Sequence, residues 1–211
     1  MGPDEVSELM RHLLREALIL GAPLLLAACA TSFLISLLQA LTFEKCAEPA
    51  VEIVVVDNDP ARSAQELCAR LARTSRWPLL YVSEPRRGIS FARNAAMQKA
   101  RSRNAGLIAF IDDDEAPSPA WLDELLAGLA HYQAGVASGP VVPLFEGPVP
   151  PWMLKGKFFE RDRFETGTQR ETSATCNVLF TSRGFDDGVS GFDESLGLSG
   201  GEDSDFFLRV A

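Results

Sequence analysis

The sequence is poor in soft metal ligands. Its two histidines, His12 and His131, stand far apart, and its four cysteines (Cys29, Cys46, Cys68, Cys176) form neither a close pair nor a C-x-x-C. That argues against a zinc site and reads the cysteines as reduced thiols, mostly buried, in a cytosolic chain. Basic charge is scarce too: 20 Lys and Arg against 29 Asp and Glu leave a formal net charge of −9. A nucleic-acid binder needs a basic face to release counterions, so no nucleic acid is expected as a partner. An anionic small molecule stays compatible, because a metal ion can bridge acid to phosphate. No repeat, low-complexity tract or linker divides the 211 residues, which suffice for one sizeable core.

One long uncharged run is present, Gly21 to Phe43, behind the basic flank RHLLR. It is long enough to cross a bilayer, so a signal peptide or membrane anchor is one reading. The other divides it into a strand (Pro23 to Ala30) and a short helix (Phe33 to Leu41), with Thr31 and Ser32 supplying the turn and cap. The rest of the pattern needs a first strand there, which favours the second. Residues 1–20 space Val6, Leu9, Leu13 and Leu14 as a helix does and form an N-terminal helical extension. Residues 21–211 form the main domain.

From Val51 the chain alternates. VEIVVVDNDP and PLLYVSE read as strands, and Ala61 to Arg73 as a helix between them. Ile89 to Arg101 is helical in composition, LIAFIDDD is a third strand, and Ala120 to Tyr132 a third helix. This alternation predicts an α/β domain with a mainly parallel sheet. Beyond Gly135 prolines crowd in, predicting a strand (Val136 to Val142) and then a long loop. Thr175 to Arg183 reads as a strand, and a glycine-rich loop enters a helix near Glu202.

Acids sit where such sheets bind ligands, outside the carboxyl ends of strands. Asp57-Asn58-Asp59 follow one strand, and Asp112-Asp113-Asp114-Glu115 another. Two anionic clusters at one rim are costly unless something positive lies between them, and Mg²⁺ or Mn²⁺ suits such hard oxygens. A third acidic group, Glu202, Asp203 and Asp205, stands near the end of the chain.

VVVDNDP, RRGISFARNAA, FIDDDE, TCNVLF and GFDESLGLSGGEDSDFFLR occur in that order. Together they resemble family 2 glycosyltransferases of the GT-A fold, a Rossmann-like nucleotide-diphospho-sugar transferase architecture, and above all bacterial enzymes of succinoglycan and other exopolysaccharide synthesis. The resemblance implies an inverting, metal-dependent transfer of a sugar from a nucleotide-sugar donor, UDP-linked in the first instance, to a glycan or lipid-linked acceptor. It places Asp57 and Asn58 at the base of the nucleotide, with Arg93, Asn94, Asp113 and Asn177 lining the donor site. Asp112 and Asp114 match the outer positions of the D-x-D motif, facing the ribose or holding the Mg²⁺ or Mn²⁺. Asp203 matches the catalytic base, with Glu202 second. The implied location is cytoplasmic, with peripheral association at the inner face of the membrane as a further reading.

The sequence departs from the family pattern in two places. Thr31 closes the first motif with no arginine after it, and the chain ends at Ala211, soon after the ED helix. The domain is therefore expected to be truncated on its acceptor side. An inactive or binding-only relative is one alternative function, and another Mg²⁺-dependent phosphoryl-transfer enzyme is a second.

Overall fold

The computed structural model describes residues 40–145, 147–182 and 191–210. The N-terminal helical extension, Cys29, Thr31 and nearly all of the Gly21 to Phe43 run lie outside the described residues.

The β-branched run Ile53–Asp57 forms β1, and Leu79–Ser83 forms β2. They pair in parallel from Ile53 opposite Leu79 to Asp57 opposite Ser83. A parallel pair needs a crossover, here α1 (Gln65–Leu71), which lays Cys68 into the interior. Next come α2 (Ile89–Ser102), β3 (Leu107–Ile111), α3 (Trp121–His131) and β4 (Val136–Ser138). A short helix α4 (Pro151–Gly156) precedes β5 (Asn177–Thr181), and a 3₁₀ turn (Glu194–Leu196) precedes α5 (Glu202–Val210).

β5 lies between β3 and β4 and is antiparallel to both. Strand direction thus differs between the two sheets, parallel in β1–β2 and antiparallel in β3–β5–β4. The reason is the route of the chain. The proline-rich connection leaves β4 at Ser138 and returns beside it, with Ser138 opposite Val178, so the excursion is a long hairpin. It also sets the carboxyl ends of β3 and β4 and the start of β5 on one rim. β4 stops short of Val142 because Gly139 and Pro140 follow, and proline has no N–H for the ladder. α4 occupies part of the stretch expected to be a loop, with Pro151 opening its first turn.

Side chains of β5 alternate between two cores, as a strand of period two requires. Val178 and Phe180 join Met97, Ile108, Phe192, Phe206 and Phe207, while Leu179 joins Leu41, Ile53, Trp77, Leu122 and Leu125. In the first core the Phe192 and Phe206 rings stack at 4.2 Å, and Phe207 meets Phe180 edge-on at 5.7 Å. This fastens α5 and the segment before it to α2 and β5. Cys68 and Cys176 are buried free thiols and Cys46 is half-buried. No helix among the described residues is long and apolar enough to cross a membrane.

Candidate active site

The first acidic cluster closes β1. Asp57 is buried, and its carboxylate accepts from the Asp59 N–H (3.0 Å), the Ala64 N–H (3.0 Å) and the Tyr81 hydroxyl (2.9 Å). Burial and that bond push the Tyr81 hydroxyl up to about 12. Asn58 donates through Nδ2 to the carbonyls of Glu84 and Arg86, both at 2.7 Å, and accepts from the Gly88 N–H at 3.1 Å. It therefore ties the loop after β1 to the loop after β2. In that second loop Arg86 grips Glu84 through Nε (2.9 Å) and Nη2 (2.7 Å).

The second cluster follows β3. Asp113 and Asp114 are exposed at a turn, while Asp112 and Glu115 are partly buried. The last two brace each other: the Asp112 N–H donates to Glu115 Oε2, and the Glu115 N–H to the Asp112 carbonyl, each at 3.2 Å. Burial raises the Asp112 carboxyl above its ordinary value, and the charges of Asp114 and Asp113 add to the rise against the pull of Arg93 and Arg161. Glu115 is pushed up to about 7, chiefly by burial. Among the described residues no three His, Cys, Asp or Glu side chains converge as a self-sufficient metal site. Asp112 and Asp114 place hard carboxylate oxygens at this turn.

α2 connects this rim to the third acidic group. Arg93 forms an ion pair with Glu202, and both side chains are largely buried (12% and 6% exposed). The same guanidinium lies 5.6 Å from the centre of the Phe192 ring. Asn94 holds Phe192 by two backbone bonds, accepting from its N–H (2.7 Å) and donating to its carbonyl (2.9 Å). The Ile89 N–H donates to the Gly197 carbonyl at 3.1 Å. Gly200 and Gly201 then take φ of +83° and +91°, a region open to glycine, and deliver the chain into α5. Asp203, one residue into that helix, is partly exposed and accepts at Oδ1 from the Ser204 N–H (2.7 Å). Glu202 is committed to Arg93, so Asp203 is the more open carboxylate of the two.

Asn177 opens β5 opposite Ile111. Its Oδ1 accepts from Trp121 Nε1 (2.8 Å) and its Nδ2 donates to the Pro140 carbonyl (3.1 Å). A Cβ on Gly139 would come within 2.7 Å of that Nδ2, so the rim is closely fitted there. Trp121 is thus a partner of Asn177. Trp152 is half exposed and meets Phe158 edge-on at 6.1 Å.

Two residues at the rim were given no site role by the sequence patterns. Cys176 precedes Asn177, and Arg161 donates to Cys176 Sγ at 3.1 Å. Arg161 also borders a cavity of ≈ 520 Å³ with Val142, Phe145, Leu154 and Phe158. Nothing periodic marks Arg161.

The tertiary arrangement has solved counterparts. The S. aureus TarS 1–349 crystal structure superposes with a TM-score of 0.63 at 18% identity, covering 87% of this chain and 52% of that one. The TarS 1–349 complex with UDP gives 0.61 at 19%, covering 85% and 50%. The complex with UDP-GlcNAc gives 0.57 at 18%, covering 84% and 48%. At these identities the likeness establishes the fold, an α/β architecture of GT-A type. In sequence, the chain is 34% identical over 160 residues to the succinoglycan biosynthesis protein ExoM of Rhizobium meliloti (strain 1021). That match takes in 76% of this chain and 51% of the relative, so the chain spans about half the relative's length. A short match to Bacterial export proteins, family 3 covers residues 5–43, nearly all outside the described residues. Residues 32–189 match Glycosyl transferase family 2, a stretch that includes both acidic strand ends, Arg93 and Asn177, and on that match the chain belongs to glycosyl transferase family 2.

Proposed function

We propose that the chain acts as an inverting glycosyltransferase that moves a sugar from a nucleotide-sugar donor to a glycan or lipid-linked acceptor in polysaccharide synthesis. The observation that carries this is the position of Arg93. Its guanidinium pairs with Glu202 at the mouth of α5, and its charge also reaches Asp112 at the end of β3. One positive side chain thereby serves both the carboxylate rim, by its charge, and the helix that offers the base, by its ion pair.

UDP is the nucleotide favoured, because the TarS complexes of the same fold hold UDP and UDP-GlcNAc. The ExoM relative supports a polysaccharide pathway. Work on a lipid-linked acceptor would place the protein in the cytoplasm at the inner face of the membrane.

Asp57 and Asn58 form the floor beside the base, and Asn177 with Trp121 forms the wall at the start of β5. Asp112 and Asp114 fit a divalent cation, Mg²⁺ or Mn²⁺. They are hard carboxylates, and the charges of Asp114 and Asp113 add to the burial that raises the Asp112 carboxyl, so a cation would relieve the repulsion. They do not complete a shell, and diphosphate oxygens would supply the remainder. When bound, such an ion supplies electrostatic stabilisation of the departing nucleoside diphosphate.

The chain's own residues do the rest. Asp203 accepts the proton of the acceptor hydroxyl as its oxygen bonds to the anomeric carbon, and the bond from that carbon to the diphosphate breaks with inversion. Arg93 holds Glu202 in place by their ion pair, so that Asp203 presents its carboxylate from a fixed helix start.

Calorimetric titration of UDP, with and without Mn²⁺, tests the reading on the unaltered chain and on Asp114→Ala. Metal-dependent binding that Asp114→Ala abolishes is expected. Asp203→Asn should keep that binding and lose transfer by about 100- to 10,000-fold. Failure to bind UDP, GDP and TDP alike would sink it. Binding without turnover across acceptors would support the binding-only relative.

A further inference from the structure

The rim holds a second arginine that the mechanism above does not use. Arg161 is exposed, in the connection between α4 and β5, and donates through Nη1 to Cys176 Sγ at 3.1 Å. Cys176 is buried and immediately precedes Asn177, which pairs with Ile111. Asp112 follows Ile111 just as Cys176 precedes Asn177, at the same end of that ladder. Arg161 is therefore anchored where the carboxylates stand, and its positive charge is felt by Asp112, Glu115 and Cys176 alike.

The two arginines of the site differ in what remains available to a ligand. Arg93 is largely buried and bound to Glu202. Arg161 makes no ion pair among the described residues, and its one hydrogen bond there is to a thiol, a weak acceptor. A guanidinium has five N–H donors in a planar fork that matches phosphate oxygens. An exposed fork with most of its donors open, held at an anionic rim by a buried residue, is arranged to meet a second anion arriving there. Balancing the acids alone would be served better by direct contact with a carboxylate.

Resting on the nucleoside-diphosphate reading above, we propose that Arg161 is a donor-binding residue. Its open N–H groups take phosphate oxygens of the donor's diphosphate, and Cys176 is the seat that holds the guanidinium at the rim. The connection between β4 and β5 thus carries part of the donor site as well as bordering the neighbouring cavity.

The test compares UDP with uridine, which shares the base and ribose but has no phosphate. Both are titrated into the unaltered chain, Arg161→Gln, Arg161→Lys and Cys176→Ala, in Mn²⁺ and in EDTA. Arg161→Gln should weaken UDP by about 10- to 100-fold, the worth of charged hydrogen bonds, and leave uridine unchanged. Arg161→Lys should fall between, and Cys176→Ala should weaken UDP by a smaller factor. Circular dichroism checks that the exposed Arg161 changes leave the fold intact. Unaltered UDP affinity in Arg161→Gln, or equal loss for UDP and uridine, overturns the proposal. An unaltered chain that binds no UDP, GDP or TDP overturns the reading beneath it, an outcome visible before any variant is compared.

Discussion

Arg93 and Glu202, 109 residues apart in sequence, form a buried ion pair that fixes the start of α5 against the second turn of α2. Among the described residues Glu202 Oε2 has no hydrogen-bond partner, and Arg93 alone of them pairs with the carboxylate. Removing one member of a buried pair strands the other charge. Arg93→Met should therefore destabilise by about 3–5 kcal/mol. The double variant Arg93→Met/Glu202→Leu should recover most of that loss. Urea unfolding of the four proteins measures it, and equal losses in the single and double variants would show no coupling.

Asn58 satisfies three backbone groups of the loop after β2 with one side chain. Asn58→Ala leaves them to water or unpaired, at about 1–3 kcal/mol for any group that stays buried. The Gly88 N–H should exchange with solvent faster, measured by hydrogen exchange, while the α3 amides keep their protection. Unchanged exchange at Gly88 would mean the loop holds its shape without Asn58.

Glu115 should make the fold less stable as pH rises. Its folded pKa, about 7, lies above the ordinary 4.5, so the folded state holds the proton more tightly. Its contribution is fully present below about 4.5 and is lost as pH climbs through about 7. Glu115→Gln keeps the shape without titrating. Thermal midpoints from pH 4 to 8 should lose part of their downward slope in that variant, and identical slopes would contradict the burial of this carboxyl.

Asp123 has the opposite sign. Burial alone would raise its carboxyl, but the N–H groups of Lys45, Glu44 and Cys46 all donate to it and hold it below the usual range. Its contribution is present above the unfolded value of 3.8 and is lost as pH falls through the lower folded value. Asp123→Asn should lower the melting temperature at pH 7 and flatten the acid limb of the stability profile. Differential scanning calorimetry across that range checks it.

The chain's pattern located what is built locally. β1, β2 and β3 each read as an apolar run ended by a polar or acidic residue, and α2 and α3 show their periods, so their positions agree to within a few residues. The direction of β5 was not legible, because it depends on where a connection of irregular sequence returns. Nor were the tasks of the asparagines. Asn94 looks like one more polar position on α2, and only its contact with Phe192, 98 residues away, makes it a clamp. Asn58 and Asn177 were expected to line the donor site. They stand at the ends of β1 and β5, on the sheet's rim, and their side chains are engaged with the backbone and with Trp121. Arg161 lay in a segment with no period to mark it, and its neighbour Cys176 is far off in sequence. Residue type and order indicated the family, while the bonds that make the site rigid join positions the sequence keeps apart.

The attachments of α2 also govern how the gene can change length. Ile89, Asn94 and Arg93 hold Gly197, Phe192 and Glu202 respectively, all from the first turns of a single helix. Inserting one residue between Gly88 and Arg93 would rotate the later anchors by about 100° relative to the first and release the acidic helix from the rim. The connection between α4 and β5 has no such indexing over most of its length. Length variants should accumulate there, except around Arg161, and be purged from the start of α2.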